Sequence, residues 1–402
     1  MNINESQTPD EMPNDARNEV AEASWDLSEN LQVINTLLQQ ECTSLGVAVP
    51  ACIQEDQVHL LSTYEYEKKW AEFPKSVGIA YLDDRHLIDV KDERDDFNFL
   101  HSAIIGNAES ALERLSSGSE DPDTSDDALS EEAWDEAEEL HGTCPEGSED
   151  EFFAEYVDHI LEEKHKDRDG YYEMVIEETP KKIDRIYREI QRRVLLHEAL
   201  HVASHTNQQF ADTMCETWLG TRIGYSLHRP DPKQKLFESL NEAVTEKMTN
   251  ELLHDMKNAT QLLQECVETF NEEEWDTDLH ITESAEKLLP PSYEKDIQLL
   301  DALIEKIALT RNVPKQDVWN KIKKGYFSGE MLHLREIERL LEPGALRLYA
   351  SCRADSKDTD DFLRYLNAAS KEEKSQLFLQ MIEQLPEWEQ EKIRNRRSTE
   401  KK

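Results

Sequence analysis

A mainly α-helical chain with a small β-sheet, of the mixed α+β class, is what the sequence predicts, and three observations predict it. Stretches free of Gly and Pro carry apolar residues at helical spacing, notably Tyr187 to Ser204. Two short apolar runs, 77–81 and 86–90, flank Leu82-Asp83-Asp84-Arg85 in the manner of a β-hairpin. From Asp296 onward, one helical pattern follows another between Gly and Pro breaks.

In chain order, residues 1–24 are polar and acidic and are expected to be disordered. Residues 25–115 form an N-terminal α+β region, with helices over Trp25–Leu45, Thr63–Trp70 and Phe97–Leu115 around the hairpin. Residues 116–150 read as an acidic, disordered insertion. No Lys or Arg lies between Arg114 and Lys164, and Glu120–Asp150 holds 14 acidic residues among Ser, Gly and Pro. Residues 151–290 contain an amphipathic helix at Phe152–Lys164, a short strand at Tyr171–Glu177 stopped by Pro180, and the long helix through Tyr187–Ser204. A helix over Gln208–Trp218, an extended piece at Thr221–Leu227 and a rigid loop at His228–Pro232 then lead to a helix that opens at Leu240. Residues 291–402 make a helical lobe, with helices at Ile297–Leu309, Val313–Gly325, Met331–Leu341 and Asp360–Leu385 and a charged tail from Trp388 that frays.

The formal net charge of −42 argues against a nucleic-acid-binding role, because phosphate contacts need a basic surface. The same charge would suit a basic protein partner for the acidic insertion. Cysteines 42, 52, 144, 215, 266 and 352 show no CxxC pair and no compact disulfide spacing. Residues 1–22 lack the apolar core of a signal peptide, and no apolar run reaches 18 residues. A reduced cytoplasmic location, away from membranes, is the expectation.

His197-Glu198-Ala199-Leu200-His201 is an HExxH sequence within the Tyr187–Ser204 stretch. Residues i and i+4 share a helix face, so His197 and His201 can offer two imidazoles to one cation, with Glu198 flanking it as a general base. The helix is apolar nearly all round, which marks it as buried. Two histidines and a glutamate in such a helix are expensive unless something pairs with them. A divalent ion would do so; neighbouring carbonyls are the plainer alternative. A catalytic zinc site takes a third protein ligand and leaves one position for water. Glu242 and Glu246 share a face of the helix opening at Leu240: one can ligate while the other hydrogen-bonds the outer nitrogen of a ligating imidazole. His205 and Glu216 compete as third ligand, although three successive i,i+4 histidines span about 12 Å and cannot all reach one ion.

HEALH followed by LNEAVTE resembles the gluzincin metallopeptidases, the thermolysin-like and related zincins, over residues 185–255. The resemblance implies a zincin-like catalytic domain with a helical C-terminal lobe. It makes His197, His201 and Glu242 the ligands of Zn²⁺ and Glu198 the base, and it puts Glu246 behind a ligating imidazole. Two features depart from the pattern: the 41 positions between His201 and Glu242 call for a looped-out insertion, and no GxMEN motif is present. Tyr293, 51 positions beyond Glu242, lies where several gluzincins supply a phenol to the oxyanion; Tyr225 and His228 are alternatives. The expected function is a zinc-dependent hydrolase, a metallopeptidase acting on peptide or protein substrates. A non-catalytic helical interaction protein is the alternative.

Overall fold

The computed structural model describes mainly residues 26–70, 78–80, 87–92, 181–213, 216–229, 234–253 and 293–394, with short gaps in the last range. It is mixed α+β, with helices alongside two small sheets. Two compact units divide the chain. One comprises Met1–Trp25, Glu93–Ile190 and Lys257–Leu289, and its described residues are chiefly 181–190. The other comprises Asp26–Asp92, Gln191–Met256 and Pro290–Lys402 and holds both sheets and every residue of the site described below.

Helix α1 (Leu27–Leu45) opens on Asp26, whose carboxylate accepts from the Glu29 amide, and closes on Gly46 in the left-handed region at φ 65°. Its stripe of Leu31, Ile34, Leu38 and Cys42 is buried, as the spacing demands. Strand β1 (Val58–Ser62) passes directly into helix α2 (Thr63–Lys69) at a reciprocal cap between Ser62 and Glu65. Strands β2 (Gly78–Ala80) and β3 (Ile88–Asp92) pair antiparallel, as the hairpin pattern requires. The pattern does not foresee β1, which pairs parallel to β3 with Val58 opposite Ile88 and gives the order β1-β3-β2. Asp89, fully buried on the central strand, ties this layer together. It meets His59 Nδ1 at 3.1 Å, Lys69 Nζ at 2.6 Å and the Trp70 indole N–H at 3.0 Å.

The long helix α3 runs over residues 181–203. After it the expectation of a helix at Gln208–Trp218 is overturned. Strands β4 (Thr206–Thr213) and β5 (Glu216–Ile223) form an antiparallel hairpin, followed by β6 (Ser226–Arg229) and β7 (Gln234–Leu236) in the order β4-β5-β6-β7. Thr206, Thr213, Thr217, Trp218, Thr221 and Ile223 are β-branched or aromatic, and cross-strand pairing outweighs the weak helical preference of the residues between them. Likewise Thr221–Leu227 is extended but folded back on itself at Gly224, and His228–Arg229 belongs to β6. The insertion between the two motifs is therefore a sheet.

Helix α4 (Glu238–Leu252) follows, then α5 (Glu294–Arg311), α6 (Lys315–Ser328), α7 (Leu334–Leu340), α8 (Ala345–Ser351), α9 (Lys357–Asn367) and α10 (Lys371–Glu383). Helix α5 packs on α4, α6 and α9 through Leu299, Leu300, Leu303, Ile304 and Ile307. The single helix expected over Asp360–Leu385 is instead α9 and α10. Ala368 turns out of the helix (φ −56°, ψ 130°), and Ser370 caps the next one by accepting from the Glu373 amide. Ile176 and Glu177 are helical, against the strand expected there. The expected disorder of 1–24 and 116–150, the helices at Phe97–Leu115 and Phe152–Lys164, residues 171–175 of the strand and most of the tail from Trp388 lie outside the described residues. No helix among the described residues is long and apolar enough to cross a membrane.

Candidate metal centre

Helix α3 carries Arg193, His197 and His201 one turn apart on a single face, while Leu195, Leu196, Ala199 and Leu200 are fully buried around it. Helix α4 brings Asn241, Glu242, Thr245 and Glu246 against that face. Among the described residues, His197, His201 and Glu242 are the group able to grip a metal ion. His197 Nε2 and His201 Nε2 lie 3.2 Å apart, and Glu242 Oε2 is 3.3 Å from each. Donors bonded to one tetrahedral zinc at about 2.0–2.1 Å stand roughly 3.3 Å from one another, so this triangle already has the edge lengths the ion requires. His197, Glu198 and His201 are buried, keeping 9%, 8% and 8% of their surface accessible.

Each member of the triad is held from behind. Glu246 Oε2 accepts from His197 Nδ1 at 3.0 Å, directing Nε2 towards Glu242 and His201, and its other oxygen takes the Arg193 guanidinium. Burial pulls the Arg193 pKa down to about 10, which still leaves it charged at neutral pH. Asn241 Oδ1 accepts the Tyr225 amide at 2.9 Å, which turns Nδ2 towards Glu242 Oε1 (3.5 Å) and His201 Nδ1 (3.3 Å). The Tyr326 hydroxyl stands 3.4 Å from His201 Nδ1. Gly224 makes the approach of these elements possible. At φ 53°, a Cβ there would come within 2.6 Å of Asn241 Oδ1 and of the Tyr326 ring.

Electrostatics follow from burial and crowding. Burial alone would raise the Glu242 carboxyl, but the two imidazoles beside it overcome this and hold it well below the usual carboxylate range. Burial alone would lower His201; the Glu242 carboxylate wins and raises it. Glu198 moves up, chiefly by burial, and the Ala80 amide of β2 donates to its carboxylate against that trend.

Tyr293 lies beside His197. Its ring stacks on His197 (5.8 Å between centroids, 16° between planes). Burial, then the charges of Glu242 and Glu198, push its phenol well above the ordinary value, so it stays protonated. Tyr293 (φ 45°) and Phe237 (φ 59°) are left-handed non-glycine residues immediately before α5 and α4, a conformation that costs of order 1–3 kcal/mol and concentrates at functional sites.

The competing candidates are placed elsewhere. Helix α3 ends at residue 203, so His205 leaves the ligand face; its ring lies over Gly329 and it takes no part in the triad. Tyr225 spends its hydroxyl on the Ile322 carbonyl (2.7 Å) and His333 (2.6 Å). Glu216 and His228 lie in β5 and β6, and their side chains are outside the described set. Sequence reasoning passes over Arg193, although its place one turn before His197 is a signal; it also passes over Ala80 and Tyr326, for which no local signal exists. The chain matches no protein-family model, no curated protein and no solved structure.

Proposed function

We propose that this chain is a zinc-dependent hydrolase, a metallopeptidase in which His197, His201 and Glu242 hold Zn²⁺. The triangle of donor atoms, with 3.2–3.3 Å edges, carries the proposal. Imidazole N–H groups donating to Glu242 could hold the cluster pairwise, but three near-equal edges of the length found between ligands of one tetrahedral ion favour a cation at its centre. Bound zinc supplies a Lewis acid and lowers the pKa of its water towards about 7.

The chain's own groups do the remainder. Glu198, beside both imidazoles and steadied by the Ala80 amide, takes a proton from the attacking water and passes it to the leaving amine. Tyr293, protonated and next to Glu242 and Glu198, donates to the oxygen that gains charge. Strand β2 lies at the edge of its sheet among the described residues, and its Ala80 amide donates to Glu198. An extended peptide added to that edge would run past the base, which favours a peptide over other hydrolysable substrates.

Metal analysis beside a peptide-library digest tests this. Wild type should carry about one zinc per chain, lost in His197→Ala and Glu242→Ala; Glu198→Gln should keep zinc and lose about 10²–10⁴-fold in turnover. Zinc retained by Glu242→Ala, or full turnover in Glu198→Gln, would overturn the proposal.

A further inference from the structure

We propose that Tyr326, through Thr245, is a positioning residue that sets which nitrogen of His201 carries its proton, so that Nε2 is free for the metal. This rests on the metal site proposed above and goes beyond it, because Tyr326 lies outside both HEALH and LNEAVTE.

Hydrogen-bond directions around His201 Nδ1 lead to it. With Nε2 on a cation, Nδ1 must carry the hydrogen and needs an acceptor. Two groups stand within reach: Asn241 Nδ2 at 3.3 Å and the Tyr326 hydroxyl at 3.4 Å. Asn241 cannot accept there. Its Oδ1 faces two backbone amides, Tyr225 at 2.9 Å and Ser226 at 3.4 Å, and amides only donate, so the NH₂ end faces His201.

Tyr326 is left as the acceptor, provided its single proton goes elsewhere. Thr245 provides for this. Its own hydroxyl hydrogen goes to the Asn241 carbonyl at 2.9 Å, so at 2.8 Å it can only accept from Tyr326. The Leu200 carbonyl at 3.3 Å is a second acceptor for the same proton. Ser204, which donates to the His201 carbonyl at 2.7 Å, also neighbours the phenol. The chain His201 Nδ1–H to Tyr326 to Thr245 to Asn241 carbonyl thus runs in one direction. Glu246 does the corresponding work for His197 with a carboxylate; a neutral phenol does it for His201.

The test is zinc affinity of full-length protein, by competition with a chromophoric chelator, in wild type, Tyr326→Phe, Thr245→Val and the double variant, with melting of each metal-free form. Tyr326→Phe should weaken zinc about 10–100-fold, while the metal-free protein keeps its fold. Thr245→Val removes the nearer acceptor and leaves the Tyr326 proton only the longer contact to the Leu200 carbonyl, so zinc should weaken by less than in Tyr326→Phe, although the change touches neither metal nor imidazole. Added to Tyr326→Phe, it should weaken zinc no further. Wild-type affinity in Tyr326→Phe, or independent losses in the double variant, overturns the inference while the metal site stands. A wild type that takes up no zinc removes the site and this inference with it.

Discussion

The Arg193–Glu246 pair offers the sharpest test of how the site is built. Its side chains are 11% and 2% exposed, so the ions meet almost out of water. Breaking such a pair from one side leaves an uncompensated buried charge and costs about 3–5 kcal/mol. Arg193→Met and Glu246→Gln should each destabilise the metal-free protein by that amount, a fall in Tm of roughly 10 °C. With neither charge present there is nothing left to strand, and the amide oxygen introduced by Glu246→Gln would still accept from His197 Nδ1. The double variant should therefore cost no more than either single one, a coupling of about 3 kcal/mol. Urea denaturation with a chelator present reads this directly and keeps zinc linkage out of the result. Additive losses, or a single variant costing less than about 1 kcal/mol, would refute the view that these two ions depend on each other.

Three further outcomes are expected. Tyr293→Phe should lower kcat about 10²-fold at nearly constant KM on any peptide substrate found, as removal of an oxyanion donor does; a change in KM alone would assign the phenol to binding. Gly224→Ala places a Cβ 2.6 Å from Asn241 Oδ1 at φ 53° and should both destabilise by about 1–3 kcal/mol and weaken zinc, read by melting and chelator competition. Burial, helped by Arg222, lowers the His333 pKa to about 4. The unfolded chain therefore binds this proton from about pH 6.5 downward while the folded chain does not. Stability should drain away as pH falls from about 6.5 to 4, by up to about 3 kcal/mol, and pH above that window should not change it through this group. A His333→Gln variant with the same acid slope would show that the loss arises elsewhere.

What the sequence makes legible divides by distance along the chain. Helix α3 announces itself through one continuous period, and the Glu242–Glu246 pair through its repeat; both are local. The β2–β3 hairpin is local as well. Strand β1 escapes a pattern search because Val58–Ser62 does not alternate and its partner β3 lies 30 positions away. The β4–β5 hairpin is easily mistaken because Gln208–Trp218 contains residues acceptable to a helix, and only cross-strand pairs decide it. The break before α10 carries a visible sign, Ser370 followed three residues later by Glu373, which a search for capping pairs catches. Tyr326 has none: it approaches His201 from 125 positions downstream.

The Ala80 amide against Glu198 has a practical consequence. A shortened gene product limited to residues 181–256 would keep every letter of both motifs yet forfeit that amide, the Tyr293 ring and the Tyr326 hydroxyl. Motif survival is thus a poor guide to competence in truncated or grafted versions. The smallest transplantable piece has to reach from the first strand layer to the helix bearing Tyr326.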